Sequence, residues 1–309
     1  MKRLVKVVFF ISFITLISLV PYAAQVNAQT GGLKYTVTVT KFENRAGWNG
    51  QWDIGDGWGL VMTDILNQTG RFIVLGESDM RVASLGEQNL AAAGRTAQGS
   101  LAPVTGQMTP AQILIKGAIT NVTNNTSGGF GGISIGPVVV GGSGSKSEVN
   151  VTMYMVDSTT GQIMASKSVV GKSNSSGGSI GYSGNGWAAG GGGFKKDNVG
   201  KAIESAVLQG TEWMIAQLPN IPWTGAVVMT KDGKVYVNRG QREGVENGQV
   251  FSVGNSEIIR DPGTGEVLEE TINEIAKIQV VNSKEKLSIC NFLSGKKDLI
   301  TQGMKVTLP

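Results

Sequence analysis

Histidine is absent from all 309 residues, and cysteine occurs once, at Cys290. Without an imidazole the chain holds no Ser-His triad, no Cys-His dyad and none of the usual His-bearing zinc sites. A single thiol closes no intramolecular disulfide, so an oxidising compartment adds no covalent staple. Cys290 lies in the apolar stretch Leu287 to Leu293, which reads as a buried small hydrophobe rather than a reactive thiol. Neither paired catalytic acids nor a cofactor motif fills the gap. Asp53 and Asp56 have no third group in support. Gly171-Lys172-Ser173 ends like a phosphate loop but has Ser166 where the earlier glycine is required. Gly184 to Ala189 matches a dinucleotide fingerprint without the strand before it or the helix after it.

The chain also lacks a charge of one sign. Its 27 lysines and arginines face 23 aspartates and glutamates, and three of the basic residues, Lys2, Arg3 and Lys6, belong to the first 28 residues. There they flank an apolar run from Leu4 to Val20 that closes on Val26-Asn27-Ala28, the pattern of an export signal cleaved after Ala28. Cleavage turns 27 against 23 into 24 against 23, so the mature chain is near neutral and carries no basic footprint for a nucleic-acid backbone.

What is present falls into two modules. Residues 29–218 mix helix and strand signals. Tyr35 to Phe42 alternates as a strand, Asp56 to Gln68 has helical spacing and stops at Gly70, and Arg71 to Leu75 is a short strand. Ser78 is placed to cap a helix through Leu90, and Thr109-Pro110 leads into a strand over Ile113 to Val122. Val149 to Val156 and Ile163 to Val170 flank the hairpin turn Asp157 to Gly161. Val199 to Leu218 repeats apolar residues at helical period, with Trp213 and Met214 read as core. The expected class is α+β: an α/β layer domain with a mixed sheet and two glycine-rich hairpin arms, followed by a small all-β domain.

The ordered pieces resemble the curli production assembly/transport family, the CsgG-type proteins. They are Val37 to Arg45, Leu66 to Val74, Glu87 to Gly94, Lys116 to Thr120 and Val156 to Ile163. The resemblance implies a homo-oligomeric ring in the cell envelope, in the periplasm with outer-membrane contact. It also implies exported protein cargo and envelope proteins as partners, with no cofactor, no catalysis and no nucleic acid. In that family the loop between the first strand and first helix lines a pore constriction, which puts Trp48, Asn49 and Trp52 in that role; read as residues alone, the tryptophans equally suit packing under the loop as ordinary core. The family's two membrane hairpins fall on residues 127–147 and 167–196. Within them Phe130, Ile133, Ile135, Val138, Val140, Ile180, Tyr182, Trp187 and Phe194 are the candidate lipid-facing or interfacial residues. Read as residues alone, the arms admit two functions. Spanning strands of about 9 to 11 residues would build an export conduit. Glycine-rich periplasmic loops, to which the run Gly190 to Gly193 is suited, would leave a non-pore scaffold for an envelope or appendage assembly. The lipoprotein cysteine of the well-known channel has no counterpart here.

Pro219 and Pro222 mark residues 219–223 as a linker. Beyond it, 224–309 reads as a small all-β domain. Short strands are expected over Ala226 to Met229, Lys234 to Asn238, Val250 to Val253, Ile275 to Val281 and Lys305 to Leu308, with Asp261-Pro262-Gly263-Thr264-Gly265 among the turns. Val235 to Asn238, Gly244 to Gly248 and Asp261 to Leu268 resemble the C-terminal domain of flagellar assembly protein T, which implies protein or envelope binding.

Overall fold

The structure, a computed structural model, describes residues 32–50, 53–126, 133–135, 138–140, 145–174 and 198–309. The expected export signal, and with it cleavage after Ala28, lies outside these residues. Gly32–Pro309 forms one compact unit.

Its first part is a mixed sheet with order β3-β1-β4-β7-β8. The strands are β1 (Tyr35–Val39), β2 (Glu43–Asn44), β3 (Phe72–Val74), β4 (Ile113–Thr126), β7 (Ser145–Asp157) and β8 (Ile163–Asn174). β1 runs parallel to both β3 and β4, whereas β4, β7 and β8 are antiparallel neighbours. β2 lies along the same side of β4 as β1, at Ala118 and Ile119, so one interrupted strand replaces the continuous one expected from Tyr35 to Phe42. The interruption leaves Phe42 fully buried against Trp58, with ring centroids 5.3 Å apart.

Helices α1 (Ile54–Gln68) and α3 (Asn198–Gln217) cover one face of this sheet, and α2 (Ser78–Ala92) follows β3. Period drives the packing: Ile54, Trp58, Met62, Ile65 and Leu66 of α1 are buried, as are Val199, Ala202, Ile203, Ala206, Val207 and Met214 of α3. Gly171 of β8 sits under α3. A Cβ there would overlap the Ala202 carbonyl oxygen, so glycine sets how closely helix and strand approach. Ser78 is the first residue of α2 and not its cap; Glu77 takes the cap position and makes no side-chain capping bond. Among the described residues no helix is long and apolar enough to cross a membrane.

The second part is a closed six-stranded barrel, β10-β13-β12-β11-β14-β9. It comprises β9 (Thr224–Lys231), β10 (Lys234–Val237), β11 (Val250–Arg260), β12 (Val267–Ser283), β13 (Ser288–Gly295) and β14 (Lys305–Thr307). Closure buries alternate residues from every strand, including Val227, Val235, Phe251, Ile278, Cys290 and Val306. Three features exceed the sequence expectation. β13 carries Cys290 in its middle, and β11 and β12 are each far longer than the strands read over Val250 to Val253 and Ile275 to Val281.

Barrel and mixed sheet share one hydrophobic cluster. The Lys34 N–H donates to the Glu243 carbonyl at 2.9 Å, and the Tyr35 hydroxyl donates to the Ile221 carbonyl at 2.7 Å. Between them Leu218–Asn220 forms a 3-10 turn, and Trp223 stacks on Phe251 with centroids 5.0 Å apart.

Candidate functional site

The segment after β2 is built from short-range contacts. The Asn44 side-chain amide donates to the Trp48 carbonyl at 2.8 Å and accepts from the Trp48 N–H at 3.2 Å, which ties the turn through Gly47. Trp48 is half-buried and packs on the core cluster, while Asn49 is exposed. Gly50 has no room for a Cβ, because the Trp48 indole lies across it. Trp52 lies outside the described residues.

The far end of this segment is pinned by charge. Asp53 caps α1, its Oδ1 accepting from the Gly55 and Asp56 N–H groups at 2.8 and 3.1 Å. The Lys41 ammonium reaches Asp53 Oδ2 at 2.7 Å and Asp56 Oδ1 at 2.9 Å. The Lys41 bond first, and then the Asp56 backbone N–H, hold the Asp53 carboxyl below its ordinary range. The two carboxylates raise the Lys41 ammonium in turn. Both acids are therefore engaged in bracing a loop, an arrangement unlike a general acid paired with a base. At the loop's start Arg45 pairs with Glu43 at 2.6 Å. Close by, burial first and then Asp79 push the Glu77 carboxyl up. Among the described residues no three ligating side chains come together as a metal site.

Sheet register relates this loop to the two arms. β2 is parallel to β4, so the chain leaves Asn44, opposite Ile119, heading toward the end of β4 at Thr126. Residues 119 to 126 span about 23 Å of strand. There β4 ends opposite the start of β7, Thr126 against Ser145, and β8 ends one step away, with Asn174 against Lys146. The first arm therefore leaves Thr126 and returns at Ser145. The second leaves Asn174 and returns at Asn198, whose carbonyl accepts from the Ser173 hydroxyl at 2.6 Å. Both arms are rooted side by side, at the end of the sheet toward which β2 heads as it enters the Trp48 loop.

Arm boundaries differ from the sequence reading. Residues 145–147 belong to β7 and 167–174 to β8, because strand pairing continues well past the expected ends at Val149 and Val170. Of the candidate hairpin residues, Ile133 and Ile135 lie in β5 (Ile133–Ile135), while Val138 and Val140 lie in β6 (Val138–Val140). The two strands are antiparallel, and Ile133 is opposite Val140 and Ile135 opposite Val138. Phe130, Ile180, Tyr182, Trp187 and Phe194 lie outside the described residues. Lys41 and Asn44, which shape the loop, were not anticipated. Asn44 with a glycine at Gly47 was the available signal; nothing local to Lys41 announces its two carboxylate partners.

A family model described as curli production assembly/transport component CsgG matches residues 20–249. No curated protein matches the chain. Among solved structures, a PelC dodecamer from Paraburkholderia phytofirmans is similar at 14% identity, covering 57% of this chain and 84% of that one, with a TM-score of 0.30. The hypothetical protein CT253 from Chlamydia trachomatis is similar at 12% identity, 60% and 96% coverage and a TM-score of 0.32. The lipoprotein GNA1162 from Neisseria meningitidis is similar at 15% identity, 60% and 99% coverage and a TM-score of 0.26. Likenesses this distant carry no argument. The flagellar assembly protein T resemblance of the second module rests on its residues alone.

Proposed function

Because the chain belongs to the curli production assembly/transport component CsgG family, we propose that it assembles as a homo-oligomeric ring in the cell envelope and forms or gates an outer-membrane conduit for an exported protein. The observation that carries this reading is the direction shared by the strand that enters the Trp48 loop and the strand ends that root both arms. Repeated around a ring, that geometry sets three antiparallel strands per subunit beside one another and roots both arms at the same end of the sheet. Paired strands continuing into arms are what a shared barrel needs, since every backbone group in lipid must find a partner within the sheet. Asn49, Trp52 and the exposed part of Trp48, on a loop that Asn44 and Lys41 brace, narrow the lumen beneath it. Bulk sets the bore, and exposed amides offer hydrogen bonds to an unfolded chain in transit. The chain works without catalysis and without a cofactor.

Replacing Trp48 and Trp52 together by alanine raises single-channel conductance in planar bilayers while rings, seen by electron microscopy of detergent-extracted protein, persist. Unchanged conductance from intact rings removes the constriction from this loop. Monomer alone in light scattering, in buffer and in mild detergent, removes the ring and leaves the non-pore periplasmic scaffold.

A further inference from the structure

The family match ends at residue 249, immediately before β11. With β12, that strand forms a hairpin longer than the barrel that carries it. β14 meets β11 only over Ser252 to Gly254, and β13 meets β12 only from Ala276 onward. Pairing of β11 with β12 nevertheless continues from Asn255 opposite Asn273 to Arg260 opposite Val267. The turn is fixed by Asp261, whose Oδ1 accepts from the Gly263 and Thr264 N–H groups at 2.7 and 2.8 Å. Along this projection neither strand has an outer neighbour among the described residues. Two-stranded hairpins without further support are marginal in water, and open strand edges invite pairing.

Composition gives the projection a specific character. Glu257, Asp261, Glu266, Glu269, Glu270 and Glu274 stand against one cation, Arg260, for a net charge of −5 over residues 257–274. Between the acids, Ile258, Ile259, Val267 and Leu268 are 44 to 61% exposed. Elsewhere in residues 224–309 the balance reverses: ten lysines and arginines face five carboxylates, a net charge of +5. Four of those lysines cluster at the barrel end from which the hairpin leaves. Lys231 is paired with Lys234 across the β9–β10 turn, Lys297 approaches Gly233 in that turn, and the Lys296 N–H donates to the Ile275 carbonyl of β12. Leu293 and Leu299, 52% and 50% exposed, flank Lys296 and Lys297 in sequence.

Within one chain the hairpin meets the barrel's cations through the pair of Glu270 with Lys305. Glu266, Glu269 and the four rim lysines make no ion pair among the described residues. We propose that the β11–β12 hairpin of one copy docks, through its carboxylates and exposed aliphatic residues, on the lysine rim of the barrel of a second copy. The hairpin's net charge of −5 and the +5 of the rest of the module make the chain its own counter-surface, the four rim lysines outnumbering Asp232 and Asp298 beside them. Hairpin and rim lie at the same end of the barrel, so copies related by rotation about a common axis carry both on one side of a ring, where a head-to-tail contact can repeat.

Cross-linking of the full chain reads this contact whatever else holds the copies together, and the buried Cys290 does not compete. Chains carrying Glu269→Cys, mixed with chains carrying Lys297→Cys, form a disulfide-linked heterodimer under mild oxidation. Its yield exceeds that of a control pair of Glu269→Cys with Glu87→Cys by roughly tenfold or more. Adding Glu266→Lys to the first chain lowers the yield about tenfold, and adding Lys296→Glu to the second restores it. Should one variant fail to fold, Glu266→Cys with Lys234→Cys repeats the test. A yield no higher than the control, or one indifferent to charge reversal, overturns the proposal and assigns the hairpin to a different partner.

Discussion

Two buried titratable side chains tie stability to alkaline pH. Burial pushes the Cys290 thiol from 9.0 to about 11 and the Tyr35 hydroxyl from 10.0 to about 12. In each case the unfolded chain ionises first, so the group contributes its full stability below its ordinary value and loses it as pH rises through the shifted one. The urea midpoint should fall across pH 9 to 12, with the early part of that fall missing in Cys290→Ala, where the decline begins only near pH 10 as Tyr35 takes over. A pH titration of denaturation midpoints for the two proteins checks this. Gly171→Ala should cost about 1–3 kcal/mol, read as a lower urea midpoint, because its Cβ enters the space of the Ala202 carbonyl. Cys290 was legible in the sequence as a core residue from its apolar neighbours alone. Gly171 was not, because its requirement comes from a helix that the sequence places beyond an entire arm.

Among the elements, α1 shows how a cap and an ion pair separate. Asp53→Ala removes both and should lower stability by about 1 kcal/mol. Asp53→Asn keeps an acceptor for the Gly55 and Asp56 N–H groups and should recover most of that loss in thermal melts, while leaving Lys41 with Asp56 as its one carboxylate partner. Helices are the legible elements, since Asp56 to Gln68 and Val199 to Leu218 have helical spacing, although the first helix begins earlier, at the buried Ile54. Strand ends were read poorly. β4, β7 and β8 run on through Asn124, Ser147 and Lys172, polar residues whose pairing is settled by neighbouring strands. β11 and β12 ran on for the same reason, their outer halves carrying Glu257, Glu269 and Glu270 where an apolar alternation was sought. The candidate loop was visible only through family likeness; its bracing by Asn44 and Lys41 emerged with the fold.

For the molecule as a whole, the shared core raises the question of how far the barrel stands alone. Six closed strands with their own buried residues predict that a fragment beginning at Thr224 unfolds in one cooperative step, followed by circular dichroism against temperature. Losing the Lys34 and Tyr35 contacts should place its midpoint below that of the barrel in the full chain. A broad, non-cooperative transition would make the barrel dependent on the sheet beside it. Closure of that barrel also fixes the order of events in time. β14 is the strand that joins β9 to β11, through Lys305 opposite Ala226 and Val306 opposite Val253. Until residues 305–307 have been delivered by a ribosome or a translocation channel, β9 to β13 form at most an open sheet with two bare edges. Vectorial delivery thus holds the second module unfinished, and its final closure is necessarily a late, all-or-none step.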